Sequence, residues 1–224
     1  MDRYVRQRSL RQLGDAGQEK LKDSKVAIIG VGALGTLTAE LLARAGVGKI
    51  LLVDKDVVDM VNLQRQVLFE EKDIGQKKVL VAKEKLQRIN RNVEFEVIDD
   101  FLRDGNSVVL NEYGLILDCT DNMNARRSIN NFCASSGKIW VHAAGSGVKG
   151  NVLVVDNPVL FEKIFGGSAS FDSCEEIGVI NSLTAMVSSL QVTEALKILV
   201  GNEYCKDLIR VNPWENKYER IRVS

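Results

Sequence analysis

Short, wholly apolar runs alternate with segments of helical periodicity along most of the chain. Val26-Ala-Ile-Ile29 is apolar at every position and ends in glycine, as suits a strand buried on both faces. Leu34, Leu37, Leu41, Leu42 and Ala45 then recur near helical spacing, and Gly46 and Gly48 close that helix. Ile50-Leu-Leu-Val53 repeats the strand pattern, and Val79, Ala82, Leu86 and Ile89 mark a second amphipathic helix. Val93 to Val97 alternates as a strand does, and Leu115-Ile-Leu117 is again a buried strand. Ile129, Phe132 and Cys133 place one more helix before the strand Ile139-Trp-Val141. Strands alternating with helices predict an α/β fold built on a Rossmann-like, mainly parallel sheet.

The later pattern differs. Gly150 to Asp156 alternates after a glycine-rich turn, and Leu208-Ile-Arg-Val211 and Tyr218 to Val223 flank the turn Pro213-Trp-Glu-Asn. These segments predict C-terminal antiparallel strands that extend the sheet. Ile180 to Val200 is apolar but interrupted by Asn181, Thr184, Ser188, Ser189, Gln191, Glu194 and Lys197, so it reads as a core helix rather than a membrane span. Val159 to Ser173, containing Gly166-Gly167-Ser168-Ala-Ser170, reads as a mobile loop. The organisation expected is one domain over 1–224: a helical arm at 1–24, a nucleotide-binding core at 25–145, and substrate-side strands, loop and helix at 146–224.

Charge and cysteine usage narrow the function classes. Thirty Lys plus Arg balance thirty Asp plus Glu in 224 residues, which leaves no bulk attraction to nucleic acid or to an anionic membrane. Any anion must therefore be held by a local site. Cys119, Cys133, Cys174 and Cys205 form no Cys-x-x-Cys pair, and His142 is the single histidine, so neither a disulfide framework nor a structural zinc is expected. The N-terminus has charge without a following apolar stretch, so no secretory signal is read there, and reduced thiols point to a cytoplasmic protein.

Gly30-Val-Gly32-Ala-Leu-Gly35 matches G-x-G-x-x-G between a predicted strand and a predicted helix. The first glycine permits a tight turn, the second lets backbone approach a phosphate, and the third lets helix pack on strand. Asp54 closes the second strand nineteen residues after Gly35, where a carboxylate reaches a ribose hydroxyl. A nucleotide site is the result, with dinucleotide and ATP both open. Arg65 offers a bidentate fork for phosphate oxygens, and Lys78, at the start of a helix, a compact charge, although either alone reads as a solvated surface cation. Asp121-Asn122 lies at the carboxyl end of a predicted strand, where an exposed Asp suits either Mg2+ or a helix N-cap.

Together these residues resemble one family, the E1-like (ubiquitin-activating) adenylyltransferases of the ThiF, MoeB and HesA type. The resemblance spans nearly the whole chain: Arg3-Tyr-x-Arg6-Gln7, the three glycines, Leu52-Val-Asp54-x-Asp56-x-Val58, Asn62-Leu-x-Arg65-Gln66, Gly75-x-x-Lys78, Asp118-Cys-Thr-Asp121-Asn122, Cys174-x-x-x-Gly178-Val and Gln191-x-x-Glu194-Ala-x-Lys197. It implies ATP-dependent activation of a carboxylate as an acyl-adenylate, with release of pyrophosphate. The matching positions put Asp54 on the ribose, Asn62, Arg65 and Lys78 on the phosphates with Asp56, Gln66 and Asn122 beside them, and Asp121 on Mg2+. The position matching Arg6 reaches the ATP of the neighbouring subunit in a homodimer. A carboxylate with pKa near ~4 is already ionised at neutral pH, so cations rather than a general base carry such a reaction.

Where many sulfur-carrier-activating members bind zinc with two Cys-x-x-Cys pairs, this chain has neither. Cys174 matches a position where some relatives carry a cysteine that bonds to the acyl group, and otherwise reads as a small residue at a loop-to-helix junction. Cys119, Cys133 and Trp140 are expected in the core, and His142 as hydrogen-bonded structure in preference to the substrate mouth. Arg126-Arg127 reads as a solvated helix face or a contact for an acidic carrier, and Gly145 to Gly150 as room for an extended substrate tail. The leading substrate is the C-terminal Gly-Gly of a ubiquitin-like sulfur carrier. The alternative is a small carboxylic acid, as for the HcgE-type proteins that serve the guanylylpyridinol cofactor of iron hydrogenase. A non-catalytic nucleotide-binding partner and an NAD-dependent dehydrogenase rank lower.

Overall fold

The computed structural model of the chain describes residues 2–166 and 177–223. Its eight strands are β1 Lys25–Ile29, β2 Lys49–Val53, β3 Glu94–Ile98, β4 Leu115–Asp118, β5 Ile139–Ser146, β6 Lys149–Val155, β7 Leu208–Asn212 and β8 Lys217–Ile221. They form one sheet in the order β3-β2-β1-β4-β5-β6-β7-β8. From β3 to β5 every pairing is parallel, and from β5 to β8 every pairing is antiparallel. The described helices are α1 Val5–Arg8, α2 Gly14–Asp23, α3 Ala33–Ala45, α4 Lys78–Ile89, α5 Met123–Ser136, α6 Pro158–Phe165 and α7 Asn181–Val200.

Alternate residues of each central strand enter opposite cores. Val26, Ile28, Ile50, Leu52, Leu115 and Leu117 pack on Leu34 and Leu42 of α3, Val79 and Leu86 of α4, and Leu183 and Val187 of α7. Ala27, Ile29, Leu51, Val53 and Ile116 face the other way, joining Ile129 and Phe132 of α5 and Phe161 and Phe165 of α6. Burial on both faces is why these strands read as unbroken apolar runs. α3 ends at Gly46, whose φ of 87° is the left-handed cap conformation.

One expectation changes and one holds. The first part of the Val159–Ser173 stretch is not a loop: Asn157 caps Val159, Pro158 occupies the first turn, and Phe161 and Phe165 seal the core, so α6 forms. Residues 167–176, with the glycine-serine run and Cys174, lie outside the described residues. α7 is long and apolar enough to cross a membrane by length and composition, yet it packs on α3, β5 and β6 and buries Leu183, Val187, Gln191 and Ala195.

Candidate active site

The glycine loop explains its own sequence. Gly30 has φ 91°, and a Cβ there would stand 2.6 Å from the Cys119 carbonyl oxygen. At Gly35 a Cβ would meet the Gly30 carbonyl oxygen at 1.9 Å, so helix and strand approach too closely for any side chain. Gly32 differs from both. It caps α3 without a side-chain hydrogen bond, and the nearest atom to a Cβ there is the Gln66 amide nitrogen at 3.7 Å. The first N–H groups of a thirteen-residue helix thus face open space, the arrangement that takes a phosphate.

Asp54 sits just beyond β2, and its carboxylate accepts the Val31 N–H at 2.7 Å and the Asp56 N–H at 2.8 Å. Burial raises its pKa above the ordinary aspartate value despite those bonds and the nearby Lys78 charge. Lys78 opens α4 only 6% exposed, with Nζ 3.1 Å from the more open Asp56 carboxylate. A 3-10 turn, Met60–Asn62, is held by a reciprocal box in which Asp59 accepts from Val61 N–H and Asn62 Oδ1 accepts from Asp59 N–H at 3.2 Å. Arg65 donates to the Val61 carbonyl at 2.9 Å and forms no ion pair among the described residues. Gln66 is buried, and its Oε1 has no hydrogen-bond partner among the described residues.

At the end of β4 the fold places a polar cluster in full burial. Asp118 Oδ1 accepts from Thr120 N–H at 3.0 Å and Thr120 Oγ1 at 2.6 Å, and Oδ2 accepts from His142 Nδ1 at 2.8 Å and Arg126 Nε at 3.2 Å. Burial pushes the Asp118 carboxyl up, but Arg126 and the donated hydrogen bonds outweigh it and hold its pKa below the usual aspartate value. Burial likewise lowers the His142 pKa, the Asp118 bond notwithstanding, so the ring is neutral and its Nδ1–H faces the carboxylate. Arg126 is therefore neither a solvated face nor a carrier contact: it is buried, and its Nη2 also donates to Thr120 O at 2.6 Å. Arg127, its neighbour, is exposed.

These bonds fix the turn that presents Asp121. Asn122, not Asp121, caps α5, accepting the Ala125 N–H at 2.8 Å, and Asp121 is left exposed with no ion pair among the described residues. A lone open carboxylate beside a phosphate site fits Mg2+, which keeps most of its shell as water and phosphate oxygens. Behind the turn, Gln191 of α7 donates Nε2 to Asp118 O at 2.8 Å and Val141 O at 3.0 Å, and its Oε1 accepts from Thr38 and Cys119. Cys119 and Cys133 are buried with raised pKa, and Trp140 is fully enclosed, as expected of core.

A cavity of about 870 Å3 joins these parts. Gly30, Gly32, Asp54, Asp56, Asn62, Arg65, Gln66, Lys78, Asp121 and Asn122 all line it, together with Thr120 and Arg126. It continues past the β5–β6 turn, where the backbone from Ala144 to Lys149 forms its wall. Glycine is required in that hairpin for a reason other than substrate room: a Cβ on Gly150 would meet Val187 of α7 at 2.3 Å. Arg6 stands elsewhere. Tyr4, two residues before it, lies against Gly46 and accepts a hydrogen bond from Asn90 at 2.8 Å, pinning α1 to the far end of α3. That end is about 20 Å from the glycine loop at 1.5 Å per helical residue. Sequence reasoning named residues that line the cavity but missed Gln191 and Arg126 as organisers, both visible only as polar residues at helix positions that turn out to face inward.

The family model described as ThiF family matches residues 4–224. The molybdopterin-synthase adenylyltransferase of Escherichia coli (strain K12) is 38% identical over 208 residues, covering 90% of this chain and 83% of that protein. The sulfur carrier protein ThiS adenylyltransferase of Bacillus subtilis (strain 168) is 33% identical over 229 residues, covering 99% of this chain and 68% of that protein. Among solved structures, E. coli MccB with ATP superposes with a TM-score of 0.80 at 21% identity, covering 100% of this chain and 72% of that one. The glycine loop, the strand-end carboxylates and the two cavity-lining cations are thus arranged on a shared fold, and the chain belongs to the ThiF family of E1-like, ATP-dependent adenylyltransferases.

Proposed function

We propose that this chain activates the C-terminal carboxylate of a small ubiquitin-like sulfur carrier as its acyl-adenylate, with release of pyrophosphate. The observation that carries the reading is the continuity of one cavity of about 870 Å3 from the glycine loop and cations to the wall at the β5–β6 turn. The names of the E. coli and B. subtilis relatives support the carrier. Free Cys119, Cys133 and Cys205 support a reducing, cytoplasmic compartment.

The chemistry is set by charge placement. A tail carboxylate, ionised at neutral pH, attacks the α-phosphorus, and the bond to the pyrophosphate oxygen breaks. Lys78, withdrawn from water, and the Arg65 fork, without an ion pair among the described residues, stabilise the charge that builds on the α-phosphate and leaving group. Asp54 orients the ribose and the α3 N-terminus fixes the phosphates, so attack is aligned before it begins. Asp121 would hold Mg2+, which when bound would supply further positive charge against the pyrophosphate.

Because α1 is pinned far from the chain's own loop, Arg6 serves the site of a second copy. Exposed Val5 and Leu10 flank it on the arm, and exposed Met60 and Val61 adjoin Asn62 at the cavity, which suits an apolar contact between the two. The assay is ATP–pyrophosphate exchange with candidate carriers and acids. Carrier-dependent exchange is expected; exchange with a small acid and none with any Gly-Gly carrier overturns the substrate. Mixing Arg6→Ala with Asp121→Ala subunits should recover about a quarter of the rate through mixed dimers. No recovery would refute shared sites.

A further inference from the structure

The segment between β2 and α4 leaves the body of the protein and returns to the same point. Val58 N–H donates to Gln76 O and Gly75 N–H to Val58 O, both at 2.9 Å, and Lys78 N–H donates to Asp56 O at 3.0 Å. Residues 59–76 therefore form a closed excursion, and they carry three polar groups of the cavity, Asn62, Arg65 and Gln66. Successive turns run through it: Arg65 and Gln66 N–H donate to Asn62 O, Phe69 N–H to Gln66 O and Asp73 N–H to Glu70 O, at 2.9 to 3.1 Å. A displacement at Asp73 is thus passed on toward Arg65.

Among the described residues, two side chains from outside hold this excursion by hydrogen bonds or ion pairs. Asn181 of α7 donates to Gln64 O at 3.3 Å. Lys85, on the second turn of α4, reaches Asp73 Oδ2 and, at 3.0 Å, Glu70 Oε1. Asp73 is buried and the Lys85 side chain is only 12% exposed, so the pair is withdrawn from water. The same Asp73 oxygen accepts the Glu70 N–H at 2.8 Å and so closes the 3-10 turn Glu71–Asp73. A buried carboxylate that loses its cation must find water, and here it can do so only by moving the turn it closes. Neither Lys85 nor Asp73 lines the cavity, so neither is a ligand contact.

We propose that Lys85 is a positioning residue for adenylation: by clamping Asp73 to α4 it sets where Arg65 stands at the phosphate end of the cavity. The proposal rests on the nucleotide reading of that cavity. α4 presents Lys78 directly from its first turn, and Lys85, seven residues on, leaves the same face about 10 Å further along the axis. One rigid helix thereby fixes both cations of the site, Lys78 by its own side chain and Arg65 through the clamp. Their spacing is set before a ligand arrives.

The test is calorimetric binding of MgATP to the full chain, at a temperature well below the melting point of every variant. Lys85→Met should weaken ATP about 10-fold, whereas Lys85→Arg, which restores the cation, should stay within about threefold of the parent. Asp73→Asn keeps an acceptor for the Glu70 N–H but removes the ion pair, so it should match Lys85→Met and serves in its place if that variant does not fold. In an Arg65→Ala background, Lys85→Met should cost less than about twofold more, because the group it positions is gone. Lys72→Met removes the other cation on Glu70 and leaves the clamp, so it should bind ATP as the parent does. ATP binding within about twofold of the parent by both Lys85→Met and Asp73→Asn overturns the positioning role, as does an equal loss on Lys72→Met. An equal loss in the parent and Arg65→Ala backgrounds also overturns it, by marking the pair as general support for the fold. A parent chain that binds no MgATP overturns the nucleotide reading, and this proposal with it.

Discussion

The two halves of the sheet solve different problems. In the parallel half, β1 from Val26, β2 from Ile50 and all of β4 are buried on both faces, so their side chains are committed to packing. The cavity takes its lining from residues just beyond each strand: Gly30 and Gly32 after β1, Asp54 after β2, Phe101 after β3, Thr120 and Asp121 after β4. In the antiparallel half, β7 exposes Arg210, and β8 is exposed at its first four positions. Arg210 Nε lies 3.4 Å from Asn151 Oδ1 across the β6–β7 pairing. Burial on both faces leaves the ends of β1, β2 and β4 to line the cavity, whereas the outermost strand β8 leaves its side chains in solvent.

The contrast can be broken at its strongest point. Gly35→Ala, placing a carbon where the Gly30 carbonyl stands, should cost about 4 kcal/mol or more and abolish ATP binding, measured by urea unfolding and calorimetry. Asp118→Leu should cost about 3–5 kcal/mol by leaving Arg126 buried without its carboxylate. A loss below about 1 kcal/mol would show that the polar cluster is not what holds the parallel edge.

A finer probe is pH. The folded His142 pKa is held below the ordinary 6.5, so below that pH the unfolded chain gains a proton that the folded one refuses. Its contribution is whole above about pH 6.5 and declines as pH falls, by at most about 1.4 kcal/mol per pH unit. His142→Asn keeps a donor for Asp118 without the titration, and should flatten the melting profile between about pH 7 and 5; an unchanged slope would sink this assignment. The smallest effect belongs to the other half: Trp214→Ser, at an exposed turn, should stay within about 0.5 kcal/mol by urea unfolding. If it costs as much as Asp118→Leu, the two halves are not built as described.

Legibility divides along the same line. Val26–Ile29, Ile50–Val53 and Leu115–Leu117 can be read as strands because two-sided burial removes every polar residue, and the α3 helix because its apolar stripe and Gly46 stop agree. The cavity-lining residues stand in spaced motifs beside those strands. Arg126 misleads because a charged residue next to another on a helix normally faces water, and only the fully buried Asp118 reverses that. α6 is hidden by the glycines after it, although Asn157-Pro158 is a helix start in its own right. No sequence spacing announces that the Arg6 arm docks on Gly46, since the Tyr4 contact joins residues forty-two positions apart.

Gln191 has a consequence for how the protein comes into being on the ribosome. Its amide satisfies backbone carbonyls of β4 and β5, and Ser188, one turn earlier, donates to Leu34 O at 3.1 Å. Until α7 has emerged, those carbonyls have only water, and the glycine loop and the Asp121 turn lack their common backing. The cavity, half of whose lining lies at or before Leu102, thus gains its backing only when α7 has been made. A chain ending before α7 would carry the glycine loop and the Asp121 turn without the bonds that back them.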